Sequence, residues 1–275
     1  MSPLKPMMGH RALKTPVNLG PLEGFSDAPI QISLTRNRCD IASGDNMPLT
    51  KFLNVQSMAG WETVVGPSIS PNVPSAFAFA NGPTAPFGLP NTALITGTGV
   101  KGKFSGFMCK GPSLSFTFPA GVTTLIARKR FTLDANSLVN CQALEIGFKA
   151  VDSKARTYNW DIQCDYSESA TDMQIEVVTA AGAWSASIGS MPKFAANVEH
   201  ELNQYLSLNT TTGVSSVNAI EIDGNLFLTP ASLLNLPALS LGWAPNEIVD
   251  EVQPDYNELG GAFQWLLTNS EIIVG

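Results

Sequence analysis

Three neighbouring segments carry polar side chains at every second position, and these are the residues of the chain best suited to chemistry. The polar set is Glu145, Lys149, Asp161, Gln163, Asp165 and Glu176. Carboxylates that lie close together push one pKa upward, so a surface built from this set can supply an acid and a base. The same carboxylates and amides can instead bind a ligand, or they can simply be solvated.

The alternation assigns this set to one face of a β-sheet. Side chains of a strand point to opposite faces in turn, so the polar residues lie opposite apolar ones such as Ile146, Trp160 and Ile175. Consecutive strands are neighbours roughly two-thirds of the time. We therefore predict that the three segments form one continuous polar face, directed away from the core.

Roles on this polar face follow from residue type. If the protein is an enzyme, the predicted catalytic residues are Glu145, Glu176 and Asp161, and the two glutamates would face each other with Asp161 or Asp165 between them. The predicted ligand-binding residues are Gln163, Asp165, Lys149, Trp184 and Trp243. Both tryptophans lie beside turns, where an indole ring can stack on a sugar or another apolar ring. Packing in the core or at its rim is the alternative for each of them.

The elements that must position these residues are short β-strands. The run 217–228 places an Asp-Gly pair between two alternating segments, which predicts a tight hairpin at Asp223-Gly224. Strand-like segments separated by turn residues continue from residue 93 to residue 268, and helix is predicted only at Asp134–Val139 and Pro230–Leu236. This pattern is typical of an all-β fold with two stacked antiparallel sheets, a β-sandwich of the jelly-roll kind.

Domain organisation is predicted from the positions of prolines and strands. Residues 1–45 read as an extended N-terminal arm packed on the sandwich, and residues 46–275 read as a single β-sandwich domain. Residues 66–92 are rich in proline and read as a long loop, and long loops are often functional. With Phe77, Phe79 and Phe87, this loop could cap an apolar cleft.

Composition excludes several classes of partner. A net charge of −7 and a pI near 4.8 argue against nucleic acid, because phosphate binding requires clustered Lys and Arg. No stretch is long and apolar enough to span a membrane, and no secretory signal is recognised at the N-terminus. We therefore expect a cytoplasmic protein, or a secreted one whose leader is absent from this sequence. The oligomeric state stays open.

Metal and cofactor chemistry find little support in the sequence. The four cysteines lack zinc-site spacing, and Cys164 is expected to be a buried free thiol. Of the two histidines, His200 is expected at the surface near a strand end. Asp161 and Asp165 offer oxygen atoms but lack the glycine and spacing of a calcium loop. No metal and no cofactor are predicted.

Four motifs resemble those of the concanavalin A-like lectin/glucanase superfamily. They are Asn140–Glu145, Tyr158–Gln163, the hairpin Glu221–Gly224, and the closing run Leu241-Gly-Trp243, Glu251-Val-Gln253 and Gly260-Gly-Ala262. The resemblance covers roughly residues 50–275. It implies two curved antiparallel sheets and glycans held on the concave sheet or at its rim. Fold analogy alone does not assign an activity.

The catalytic motif of the glucanases in that superfamily, Glu-x-Asp-x-x-Glu, has one near match here. In the run 221–226, Leu226 stands where the second glutamate is required, and Asp223-Gly224 is expected to turn the chain. The glucanase motif is therefore not assigned.

Two functions remain open at this point. The first is a lectin-like carbohydrate-binding protein that uses the polar face and the rim tryptophans. The alternative is an intracellular enzyme on the same scaffold with an acidic cleft, either a cyclase or isomerase of a small apolar metabolite or a glycan lyase or hydrolase. The predicted partner is a glycan or another small-molecule ligand.

Overall fold

The computed structural model describes residues 31–35, 38–42, 49–66, 69–82, 91–179 and 183–275. The chain divides into two compact units, the first comprising residues 1–49 with Gly275 and the second comprising Thr50–Val274. In the first unit, strands β1 (Gln31–Thr35) and β2 (Arg38–Ala42) pair antiparallel. The predicted packing of an arm 1–45 on the sandwich stays a prediction, since most of that segment lies outside the described residues.

The second unit consists almost entirely of strands. In chain order they are β3 (Thr50–Phe52), β4 (Glu62–Val64), β5 (Ala76–Gly82), β6 (Thr92–Thr98), β7 (Ser105–Gly106), β8 (Met108–Lys110), β9 (Leu114–Ser115), β10 (Val122–Leu133), β11 (Cys141–Val151), β12 (Thr157–Asn159), β13 (Ile162–Asp165), β14 (Asp172–Val177), β15 (Gly189–Pro192), β16 (Glu199–Asn209), β17 (Val214–Ile222), β18 (Asn225–Leu228), β19 (Leu236–Pro237), β20 (Glu247–Tyr256) and β21 (Ala262–Val274). One α-helix, α1 (Ala135–Asn140), and two 3₁₀ turns, Val55–Ser57 and Ala231–Leu233, complete the described elements.

These strands form two antiparallel sheets, which confirms the sandwich predicted from the sequence. The nine-stranded sheet has the order β18-β17-β16-β10-β21-β6-β5, with β19 on β17 and β3 on β21. The ten-stranded sheet has the order β15-β14-β13-β11-β20-β8-β4, with β12 on β11 and with β7 and β9 on β20. In each sheet one strand late in the chain, β20 or β21, joins strands that end before residue 116 to strands that begin after residue 121.

Apolar side chains from the inner faces of both sheets form the core. Trp160 and Trp265 are its largest fully buried members, and Cys164 is a buried free thiol, as predicted. Burying aromatic side chains of this size contributes on the order of 2–3 kcal/mol each. His200 was expected at the surface, but it is buried between Phe131 and Phe194. Side chains alternate along β16, so His200 points to the inner face while the flanking Glu199 and Glu201 point to the outer face.

Two local predictions are confirmed, and one is wrong. Asp223 (φ 49°) and Gly224 (φ 80°) form the turn between β17 and β18, and Asp134 caps α1 by accepting a hydrogen bond from Ser137 N at 2.7 Å. Residues 66–92 are not a continuous loop, because 76–82 form strand β5. There Phe77 contacts Phe107 of the core and Phe79 stacks on Trp61, so neither caps a cleft, while Phe87 lies outside the described residues.

Candidate functional site

The predicted polar residues of β11, β13 and β14 occupy one face of the ten-stranded sheet, opposite the core. Strand register places Glu145 beside Gln163, and Gln163 beside Glu176. Asp165 follows in the next row beside Gln174, and Lys149 lies further along β11. These side chains point outward because the residues that alternate with them along the strands, such as Ile162, are buried in the core.

Register also corrects the expected pairing of carboxylates. Glu145 and Glu176 were expected to face each other with Asp161 or Asp165 between them, but Gln163 is the residue that separates them. They lie two strands apart, which corresponds to about 10 Å. The carboxylate that contacts Glu145 comes from β20 instead.

Glu145 and Asp255 form a hydrogen-bonded carboxyl pair. Burial raises the pKa of Glu145 well above its usual range, and the charge of Asp255 and their hydrogen bond add to the increase. Burial raises the pKa of Asp255 to about 6, although hydrogen bonds from Glu145 and Gln253 favour its ionised form. Gln253 Nε2 lies 3.2 Å from Asp255 Oδ1. Their mutual hydrogen bond raises the pKa of Glu145 and lowers that of Asp255, which favours Glu145 as the donor in this pair.

A second cluster surrounds Lys149. Its ammonium group contacts Glu251 and lies 3.7 Å from Asp161 Oδ2. Burial lowers the pKa of Lys149, but the charges of Asp161 and Glu251 outweigh it, and the net pKa is raised. Burial raises the pKa of Glu251 to about 7 against the opposing effect of Lys149. Asp161 leans over Gly147, where a Cβ atom would overlap its carboxylate.

Four acceptor oxygens on this face are buried and lack a hydrogen-bond partner within the described part of the chain. They are Asn159 Oδ1, Asp161 Oδ1, Gln163 Oε1 and Glu251 Oε1. Gln163 is only 7% exposed and Glu251 only 3% exposed. Leaving a buried acceptor unpaired costs about 1–3 kcal/mol, so these oxygens are suited to donors supplied by a ligand or by water.

Both predicted tryptophans border the polar face. Trp243 lies in the loop before β20, with Lys110 Nζ 4.9 Å and Lys149 Nζ 5.3 Å from its ring centroid. Trp184 forms a bridge with Val178, whose N–H donates to Asp161 O. Strand alternation puts Val178 and Trp184 on the outer face. About four strand spacings separate the two tryptophans, which corresponds to about 19 Å.

Sequence reasoning missed the contribution of β20. Glu247, Glu251, Gln253 and Asp255 alternate on the same outer face, and Gln253 pairs directly with Glu145. The alternation was visible in the sequence, but β20 lies about a hundred residues after β11, so their adjacency was not. In the part of the chain that the structure describes, no three His, Cys, Asp or Glu side chains are placed to hold a metal ion.

A separate cavity of about 440 Å³ lies on the nine-stranded sheet, away from the polar face. Its lining includes Ala76, Ala78, Thr96, Thr98, Asn136 and Gln264. The lining also includes the carboxylate of Asp134, which already accepts a hydrogen bond from Ser137 N as the cap of α1. The candidate site is therefore assigned to the other sheet, where several carboxylates lie together. Among the described helices, none is long and apolar enough to cross a membrane.

Comparison with known proteins matches the chain in fold alone. No family model matches it, and no curated protein is similar to it in sequence. Peanut lectin in complex with a nine-residue peptide is 11% identical, with 83% of this chain and 98% of that chain covered and a TM-score of 0.45. An endo-1,3-β-glucanase from Streptomyces sioyaensis is 10% identical, with 79% and 97% covered and a TM-score of 0.40.

An alginate lyase mutant in complex with an alginate tetrasaccharide is 8% identical, with 67% of this chain and 80% of that chain covered and a TM-score of 0.41. The similar structures are lectins and glycan-active enzymes of the concanavalin A-like fold, in line with the resemblance seen in the sequence. At these TM-scores the likeness assigns neither a ligand nor an activity to this chain.

Proposed function

We propose that this protein binds carbohydrate on the polar face of its ten-stranded sheet. The observation that carries the proposal is the set of buried, unpaired acceptors, which includes Asp161 Oδ1, Gln163 Oε1 and Glu251 Oε1, on the face that the half-buried ring of Trp243 borders. A sugar offers several hydroxyl donors on one edge and an apolar C–H face on the other. Hydroxyl groups would pair with the three oxygens, while the indole would cover the apolar face.

The negative charge of the polar face limits the kinds of glycan that it could bind. Acidic side chains outnumber ammonium groups on this face: Glu62, Glu145, Asp161, Asp165, Glu176, Glu247, Glu251 and Asp255 lie there with Lys110 and Lys149. An acidic sugar brought to this surface would meet like charges at short range in a partly desolvated site, which is unfavourable. Neutral oligosaccharides are therefore the proposed ligands, and uronate polymers such as alginate are not.

A glycan array with the purified full chain, run with and without calcium, tests this proposal. We expect binding to neutral oligosaccharides that does not depend on calcium. Trp243→Ala and Gln163→Ala should each weaken binding at least tenfold, with unchanged unfolding midpoints. Leu241→Ala is the matched control, because Leu241 is exposed and lies in the same loop as Trp243. Failure to bind any glycan on the array would reject the proposal.

A second candidate, a glycan hydrolase or lyase, is favoured by one specific observation. Burial raises the pKa of both Glu145 and Asp255, and a carboxyl group with a raised pKa is suited to act as the general acid in cleavage of a glycosidic bond. Under this candidate Glu145→Gln removes turnover of a bound oligosaccharide and retains its affinity. Product analysis by chromatography of the wild-type reaction distinguishes an enzyme from a lectin.

A cyclase or isomerase of a small apolar metabolite is not proposed. Such an enzyme requires a cleft lined by Phe, Met and Leu, whereas carboxylates, amides and ammonium groups predominate among the described residues of this face. The two phenylalanines of β5 that were expected to cap such a cleft pack elsewhere, against Phe107 and Trp61.

A further inference from the structure

One charged pair lies inside the sandwich, separate from the polar face. Lys129 points inward from β10 of the nine-stranded sheet, and Asp250 points inward from β20 of the ten-stranded sheet. Both side chains have 0% exposure, and Lys129 Nζ contacts Asp250 Oδ1. The contact thus joins the two layers of the sandwich through residues 121 positions apart in the sequence.

The surroundings of this pair are apolar, with one well-placed hydroxyl. The ring of Phe148 lies 4.1 Å from Lys129 Nζ. Ser270 Oγ donates a hydrogen bond of 2.5 Å to the second carboxyl oxygen, Asp250 Oδ2. The backbone N–H of Ser270 is held in turn by Gln56 Oε1 at 2.7 Å. Removing two charges from water in this way costs free energy, and this cost largely offsets the attraction between them, so the ion pair contributes little net stability.

We propose that Lys129 and Asp250 condense into an isopeptide bond that links the two sheets covalently. A proton first passes from the Lys129 ammonium group to Asp250 Oδ1 across their contact, and the neutral amine nitrogen then attacks Cγ of the carboxyl group. The C–Oδ1 bond then breaks, and an amine proton passes to the departing Oδ1, which leaves as water. One amide bond forms and one water molecule is released, so the step requires no oxidant and no other reactant.

Each requirement of this condensation is met by a group already in contact. Burial lowers the pKa of Lys129, which favours the neutral amine required for attack. The hydroxyl of Ser270 donates to Oδ2, where negative charge develops as the tetrahedral intermediate forms. The contact of Nζ with Oδ1 places the proton donor on the oxygen that leaves. The packed core holds the amine and the carboxyl group in contact, so the reaction is intramolecular and the entropic cost of bringing the two groups together is already met.

The intact mass of the purified wild-type chain, measured after denaturation, tests the proposal directly. We expect a mass lower than that of the sequence by one water molecule, and a digest that yields one branched peptide joining the segments around Lys129 and Asp250. Lys129→Met and Asp250→Ala should each restore the full sequence mass. Lys149→Met is the matched control, because Lys149 also contacts a buried carboxylate, and this variant should keep the deficit of one water.

The wild-type measurement alone decides the outcome, even if the core variants fold poorly. A wild-type mass equal to that of the full sequence overturns the proposal. A mass deficit that fragment spectra assign to any other residue, such as a cyclised aspartate elsewhere, also overturns it. Because the pair lies in the core and not on the polar face, the result is independent of whether the protein binds a glycan.

Discussion

Neutralising Asp255 should make the protein more stable near neutral pH. Its pKa in the fold is about 6, against an ordinary value of 3.8, because burial penalises the charged form. Each pKa unit corresponds to about 1.4 kcal/mol, so ionising Asp255 inside the fold costs on the order of 3 kcal/mol. This figure is an upper limit for the gain in Asp255→Asn, since the variant also loses the charge that accepts hydrogen bonds from Glu145 and Gln253.

The gain in unfolding free energy that we predict for Asp255→Asn depends on pH. The folded state binds the Asp255 proton more tightly than the unfolded state, so the contribution of this proton to stability is complete below pH 3.8. It is lost as the pH rises through 6. Compared with the wild type, Asp255→Asn should therefore gain 1–3 kcal/mol in unfolding free energy at pH 7.5, as an order-of-magnitude figure, and nothing at pH 4.

Urea unfolding curves at several pH values between 4 and 8 provide the measurement, with equal slopes as evidence that the two-state treatment holds. Glu258→Gln serves as the control, since Glu258 is exposed in the turn that follows β20. If Asp255→Asn is no more stable than the wild type at pH 7.5, or if the difference does not change with pH, the electrostatic account of the polar face is wrong. A gain would show that the carboxylate is kept despite its cost, which is typical of functional sites.

Three further predictions concern the same sheet and the hairpin. Glycan affinity, measured by calorimetry, should rise from pH 5 to pH 8. Glu251 has a pKa of about 7, and its carboxylate accepts hydrogen bonds from sugar hydroxyl groups best when it is ionised. An affinity that falls over this range would contradict the binding model. Gly147→Ala should displace the Asp161 carboxylate and weaken glycan binding several-fold, while circular dichroism stays unchanged; unaltered affinity would exclude Asp161 from the site. Gly224→Val should destabilise the protein by about 1–2 kcal/mol, because φ is 80° there, and an unshifted thermal midpoint would contradict this.

The sequence was most informative where local alternation determines the face of a strand. It correctly grouped Glu145, Gln163 and Glu176 on one face, because successive side chains along a strand point to opposite faces of the sheet. It also identified the turn at Asp223-Gly224, because positive φ at both positions is a local requirement. Both are properties of residues close together in the chain.

Contacts between distant strands were not predictable in this way. Asp255, the partner of Glu145, is brought by a strand more than a hundred residues away, so nothing in the sequence near Glu145 points to it. Strand β5 was missed because prolines before and after it outweighed the alternation of its two phenylalanines. The contact between Lys129 and Asp250 depends on how the two sheets stack, which no local pattern of the sequence shows.

The position of β20 and β21 in their sheets has a consequence for synthesis on the ribosome. β21 joins β10 to β6 and β3, and β20 joins β11 to β7, β8 and β9, so each sheet is left in separate parts until residues 247–274 have been translated. Until then, apolar strands with unpaired backbone groups remain exposed on a nascent chain that cannot complete either layer, and such edges invite aggregation. We expect translation products that stop before residue 247 to be insoluble or bound by chaperones, and productive folding to begin only after β21 has emerged.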